Sequence, residues 1–235
     1  MTVPPAPFDA AQDLADAPRQ PGSRQRPKDA ATLIIVRGGK HPEVLMGRRA
    51  PGHVFMASKW VFPGGRIDRA DFRAASANDP HPKTAAALHR ELSPQRARAL
   101  TLTAVRETFE ETGLILGESA PPASITGPWR EFRQAGALPD LAALRYIARA
   151  ITPPGRSRRF DARFFMTDAD RLLSPEPTAG SGELDEIAWM PLAEARALDL
   201  PSITRFVLGE VAERLDRPDR SVPFVRMVRG RHVVD

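Results

Sequence analysis

Apolar and polar positions fall into short, readable segments from about residue 30 onward, whereas residues 1–28 show no period. That opening stretch is rich in Pro and Ala with Gln and mixed charge, and a flexible tail is expected there. Ala31–Arg37 is an apolar, β-branched run, and Glu43–Arg48 is a second. Gly38-Gly39 between them suggests a hairpin-like connection. Trp60–Phe62 predicts a short strand that ends at a Pro63-Gly64-Gly65 turn. The stretch Asn78-Asp79-Pro80-His81-Pro82 carries loop chemistry, and Thr84–Leu92 has helical spacing. Ser93-Pro94 then forms a cap followed by proline at the first helical position, so a helix is predicted over 94–112 with Gly113 ending it. Residues 118–140 resemble a loop with a short helix. Strands are predicted over Leu141–Thr152, Arg159–Thr167 and Glu186–Met190, and helices over Leu192–Leu198 and Ser202–Arg217, the second capped by Ser202. Val222–Val234 adds a last strand or extended segment. Short strands interspersed with a few helices predict an α/β (α+β) class, with a mixed sheet between helices.

The 94–112 helix carries the most informative residues, Arg106-Glu107-Thr108-Phe109-Glu110-Glu111-Thr112-Gly113-Leu114. At about 100° per residue, Glu107, Glu110 and Glu111 fall within one arc of about 100°. Phe109, Val105 and Leu102 fall on the opposite side. The pattern predicts one face for a core and one face bearing clustered carboxylates. Like charges at neighbouring helical positions repel, and a cation relieves that cost. Oxygen-only ligands suit Mg²⁺ or Mn²⁺ better than zinc or copper. A solvated glutamate face is the plain alternative for this run taken alone.

Composition narrows the classes further. The chain has 235 residues, 42% hydrophobic and 27% charged, ordinary for a globular protein. No apolar run approaches the ~20 residues of a membrane span, and no membrane partner is expected. Asp9, Asp13 and Asp16 near the N-terminus argue against a secretory or transit segment, so a cytoplasmic enzyme is expected. The absence of cysteine excludes disulfides and thiolate chemistry. The net charge of +5 comes from dispersed arginines without interleaved aromatics. That pattern excludes nucleic acid as the expected partner and suits a small, phosphate-rich substrate.

The nonapeptide resembles the second half of the Nudix box, Arg-Glu-U-x-Glu-Glu-x-Gly-U with U bulky and apolar. It matches at Arg106, Glu107, Glu110, Glu111, Gly113 and Leu114, with Thr108 at the first U. The first half resembles Phe62-Pro63-Gly64-Gly65-Arg66-Ile67-Asp68, with Asp71 where the family has Glu. Between Asp71 and Arg106 stand 34 residues where the pattern has seven, so about 27 are inserted, over roughly 72–98. The resemblance implies a Nudix-type α/β/α sandwich across a single domain at 29–235. It also implies metal-dependent diphosphate hydrolysis, with Glu107, Glu110, Glu111 and the Gly65 carbonyl as metal ligands.

Arg106 is expected to hold one carboxylate by a bidentate ion pair, the alternative being an arginine reaching to solvent. The general base is expected from the loop Gly180–Glu186, Glu183 first and Glu186 second, unless Glu110 or Glu111 handles the water. Leu45-Met46-Gly47-Arg48-Arg49-Ala50 with Phe55, the insertion, and Pro153–Phe165 resemble coenzyme A diphosphatases, although that signature is incomplete. The expected substrate is therefore a nucleoside diphosphate derivative, coenzyme A or acyl-coenzyme A first. ADP-ribose or a nucleotide sugar is the alternative, followed by a non-catalytic ligand-binding module. Arg48, Arg49, Arg156 and Arg159 are the candidate phosphate-binding residues. Trp60, Phe55 and Trp189 are either base-stacking or core residues. A homodimer and the role of the insertion, cover or dimer contact, are left open.

Overall fold

The computed structural model describes residues 25–50, 58–156, 158–174, 176–178 and 182–235. Phe55, Gly180, Ser181 and most of the expected N-terminal tail lie outside the described residues; Lys28 already belongs to a strand.

The central strand is β1 (Lys28–Arg37). Its apolar run is continuous because both faces are covered, which an alternating strand would not survive. Leu33 and Ile35 join one core with Leu100, Leu102 and Val105 of helix α2 (Pro94–Thr112). Ile34 and Val36 join a second core with Val207, Leu208 and Val211 of helix α5 (Ser202–Asp216). The result is a mixed sheet between two helical layers, an α/β/α arrangement.

On one side β1 pairs in parallel with β8 (Phe160–Asp168), from Lys28↔Phe160 to Val36↔Asp168. Beyond it lie β7 (Arg145–Ile151), β10 (Phe224–Val228) and β11 (Arg231–Val234). On the other side β1 meets β2 (Glu43–Arg49) at its C-terminal end and β4 (Gly64–Arg66) nearer its start. β2 also pairs with β3 (Trp60–Val61) and with β9 (Leu184–Pro191). A separate two-stranded ladder joins β5 (Gly117–Ser119) and β6 (Ala137–Pro139). Among the described residues, no helix is long and apolar enough to cross a membrane.

The inserted region folds onto the domain. Helix α1 (Pro82–His89) buries Leu88, and Thr84 Oγ1 donates to the Leu144 carbonyl at 2.8 Å. Tyr146 Oη donates to Glu91 Oε1 at 2.8 Å, and Arg163 Nη2 donates to Glu91 Oε2 at 3.1 Å. These contacts seat the insertion against β7 and β8.

Several expectations shift. Gly64-Gly65 forms part of a strand instead of a free turn, because its backbone pairs with Ala31 and Thr32. The strand expected from Leu141 begins at Arg145, since Leu144 N–H turns back to the Leu141 carbonyl. Ser202 is the first helical residue of α5 and Pro201 takes the cap position. The helix from Leu192, α4 (Leu192–Ala195), stops early. The C-terminal segment is a hairpin turned at Arg229-Gly230, both at positive φ, a conformation suited to tight hairpin turns.

Candidate metal and catalytic centre

Helix α2 starts where its sequence says. Ser93 Oγ accepts from Arg96 N, Pro94 occupies the first turn, and Gly113 ends the helix at φ 73°. The helix has the expected core face, with Leu102 and Val105 in the core, and its carboxylate face is largely enclosed as well. Glu111 and Arg106 are each 4% exposed, as enclosed as the apolar side.

Arg106 organises the centre. Its Nε donates to Asp71 Oδ1 and its Nη2 to Asp71 Oδ2, both at 2.9 Å. Nη1 donates to Glu107 Oε1 at 2.8 Å and to Glu110 Oε2 at 3.0 Å. Nη2 also donates to the Arg66 carbonyl at 3.0 Å. All five guanidinium donors are thus used. Burial disfavours the charge, but the hydrogen bonds to Asp71 and the Glu107, Asp71 and Glu110 charges outweigh it and hold Arg106 firmly protonated.

Asp71 is fully buried, on the short 3₁₀ turn Arg69–Phe72. Besides Arg106 it accepts from Asp68 N at 2.9 Å, Thr103 Oγ1 at 2.8 Å and Trp129 Nε1 at 3.0 Å. The bidentate partner of Arg106 is therefore Asp71, while Glu107 and Glu110 each receive a single bond. Thr103 and Trp129 were not among the expected residues. Neither carries a sequence signal, because they reach Asp71 from 32 and 58 positions away.

The three glutamates differ. Glu111 Oε2 accepts from Gly64 N at 3.1 Å. Burial, followed by the Glu107 charge, pushes its pKa up to about 8 against the opposing Gly64 N–H and Arg49. Burial also raises Glu107 and Glu110, with Arg106 working against it in both. A Cβ placed on Gly65 would stand 2.4 Å from the Glu107 carboxyl, so this glycine is what lets Glu107 lie against the chain. Among the described residues no three acidic or histidine side chains form a ready-gathered ligand set. The Arg106 bonds draw Glu107 and Glu110 to one nitrogen, and the Glu107 charge acts on Glu111. The donor chemistry nonetheless fits Mg²⁺ or Mn²⁺: all oxygen, with a buried carboxylate at Glu111 and the Gly65 backbone beside Glu107.

A cavity of about 870 Å³ opens beside this cluster, bounded by β4, the ends of β1, β7 and β8, and the start of α5. Glu107, Gly65, Arg106, Glu183, Arg49 and Arg156 all line it. Arg66 and Arg158, outside the expected set, line it as well. A register shift between Arg48 and Arg49 in the β2·β9 pairing accompanies their different fates. Arg48 lies outside the cavity and pairs with Asp185 at 3.3 Å and Glu186 at 3.0 Å. Glu186 is thereby engaged on the surface of β9, away from the carboxylates. Arg159 is also outside the lining, with Nε on the Thr152 carbonyl at 3.0 Å and Nη1 on the Gln25 carbonyl at 2.7 Å. Trp189 packs on the first core under the Arg37 guanidinium, and Trp60 on the second core near Arg48.

No protein-family model matches the chain. Acyl-coenzyme A diphosphatase NUDT19 of Gallus gallus is 27% identical over 201 residues, which cover 62% of this chain and 52% of that protein. The chain thus spans about half the length of this curated relative. The protein of the same name from Homo sapiens is 25% identical over 279 residues, covering 80% of this chain and 74% of that one. A crystal structure of a NUDIX hydrolase from Alicyclobacillus acidocaldarius superimposes with a TM-score of 0.63 at 27% identity, covering 83% of this chain and 97% of that one. The NUDIX domain of Shewanella oneidensis NrtR shares the fold, with a TM-score of 0.50 at 14% identity over 88% and 99% of the two chains. Fold, box residues and these likenesses agree: the chain is similar to Nudix hydrolases in sequence and in structure.

Proposed function

We propose that the protein is a metal-dependent diphosphatase that hydrolyses a nucleoside diphosphate linked to a second group, with coenzyme A or acyl-coenzyme A first among substrates. One observation carries the reading. Arg106 binds Glu107 and Glu110, the Glu107 charge acts on the buried Glu111, and Glu107 and Arg106 line a cavity that also holds Glu183 and several arginines, whereas Glu110 and Glu111 are not in its lining. Mg²⁺ or Mn²⁺, when bound, neutralises phosphoryl oxygens and acidifies water. Glu107, Glu110, Glu111 and the Gly65 carbonyl are the groups that would hold it.

The remaining work falls to this chain's own groups. Arg49 and Arg156 bring guanidinium charge to the cavity wall, where it suits phosphate oxygens. Arg66 and Arg158 add positive charge along the same wall. Glu183 lines the cavity, and its charge acts on both Glu107 and Glu111. That position suits it to take the proton of an attacking water. Arg106 spends every donor on the protein, so it orders carboxylates and does not bind phosphate. The names of the diphosphatase relatives support the coenzyme A preference.

Incubation with coenzyme A or an acyl ester and Mg²⁺ or Mn²⁺ should release 3′,5′-ADP and a 4′-phosphopantetheine product. Turnover of ADP-ribose with none of any coenzyme A ester would overturn the substrate assignment.

A further inference from the structure

Trp129 stands at the entry to the short helix α3 (Arg130–Gln134), in a segment with no place in the Nudix box. It is 3% exposed, and its indole N–H points at Asp71 Oδ1. That oxygen is the one receiving Arg106 Nε. The next link is Arg106 Nη1, which reaches both Glu107 and Glu110. Trp129 is held from its other side by Phe132, edge to face at 5.4 Å, and Phe132 stacks likewise on Phe109 of α2 at 5.2 Å. The segment therefore grips the box twice, once through an aromatic chain and once through a single hydrogen bond to Asp71.

Asp71 has one methylene fewer than the glutamate of the family pattern, so its carboxylate has less reach and fewer rotamers. Its Oδ2 has three other claimants, Arg106 Nη2, Asp68 N and Thr103 Oγ1. The Thr103 hydroxyl has one proton and also lies 2.9 Å from the Ala99 carbonyl, so it is a divided donor. Among the described residues, the donor at Oδ1 besides Arg106 is Trp129. Without Trp129, Oδ1 is held by Arg106 Nε alone, so the bidentate Asp71–Arg106 pair can turn as a unit about the Asp71 Cβ–Cγ bond. Buried donors with one acceptor fix such a torsion.

We propose that Trp129 is a positioning residue for the metal centre: its N–H fixes the Asp71 carboxylate, and through Arg106 it sets Glu107 and Glu110. This rests on the metal-site reading above. Outer groups that orient ligands typically change metal affinity by 10–100-fold when removed.

The test is a Mn²⁺ binding isotherm on the purified full chain, followed by proton relaxation of water, with melting temperature recorded beside it. W129F keeps a ring against Phe132 and removes the N–H. It should weaken Mn²⁺ binding about tenfold, with kcat restored by excess metal and the substrate KM unchanged at saturating metal. F132L loses the ring stacking but keeps the N–H, and its Mn²⁺ affinity should stay at the wild-type value. In a D71N background W129F should add no further loss, since the relay is already cut. Equal affinity in W129F and wild type, or losses that add in the double variant, would overturn the proposal. If W129F does not fold, site-specific 3-benzothienylalanine removes the same N–H with the ring size kept, and the same two outcomes decide. Failure of the wild-type protein to bind Mn²⁺ would instead sink the metal-site reading itself.

Discussion

Asp71 and Arg106 form a buried bidentate ion pair, with Nε to Oδ1 and Nη2 to Oδ2 both at 2.9 Å. They lie 35 positions apart, on either side of the insertion, and join the two halves of the split box. Removing one member of such a pair leaves a buried charge without its partner, typically at a cost of about 3–5 kcal/mol. D71A should fall near the lower end, about 3 kcal/mol, because Glu107, Glu110 and the Arg66 carbonyl still serve Arg106. Urea unfolding of wild type and variant measures this. A loss below about 1 kcal/mol would mean that the two halves are held by packing alone.

The pair also shows how far the sequence could be read. The bounds of α2 were legible because Ser93, Pro94 and Gly113 are local signals for local geometry. The carboxylate arc was legible for the same reason. Burial of Glu111 was not, since helical period says which residues share a face but not what covers it. Asp71 could be placed by counting, yet its donors Thr103 and Trp129 meet it only after the chain has folded. The contrast between Arg48 and Arg49 depends on one register shift in a long-range pairing, which no adjacent residue announces.

Glycines 64 and 65 should respond differently to alanine. A Cβ on Gly64 meets backbone, 2.5 Å from the Ala31 carbonyl oxygen and 2.7 Å from Thr32 Cα. The strand pairing must move, and a stability loss of about 1–3 kcal/mol is expected for G64A. The atoms nearest a Cβ on Gly65 are the end of the Glu107 side chain, which can swing aside. G65A should therefore melt close to wild type yet bind Mn²⁺ more weakly, as measured by isotherm. Equal melting temperatures for the two variants would contradict the distinction.

Glu111 makes metal uptake pH-dependent. Its pKa in the folded, metal-free protein is about 8 against an ordinary 4.5, so at pH 7 the folded group is mostly protonated. Metal binding requires the carboxylate and must release that proton. Calorimetry at pH 7 in buffers of different ionisation enthalpy should show close to one proton released per Mn²⁺ at this group, and E111Q should abolish that share. The sign for folding follows. The raised pKa favours the fold fully below about pH 4.5, and the benefit is lost as pH rises through about 8. Melting temperature of the metal-free protein should fall across that window, less so in E111Q.

The two candidate bases can be separated by paired substitutions. Glu183 lines the cavity with Glu107, whereas Glu186 is tied to Arg48 at 3.0 Å outside it. A positioned general base contributes typically 10²–10⁴ in rate, so E183Q should lower kcat by about 100-fold or more. E186Q removes an exposed ion pair worth at most about 1 kcal/mol and should leave kcat near wild type. E110Q gives the internal comparison: it keeps the fold, loses a charge at Arg106 Nη1, and should lower turnover by about 100-fold or more through the metal centre. The E110Q defect should shrink as metal concentration rises, whereas that of E183Q should not, because a missing proton acceptor is not replaced by more metal. Kinetics of the three variants across a Mn²⁺ titration separate the roles. An E183Q enzyme with normal kcat would move the proton transfer to the box carboxylates.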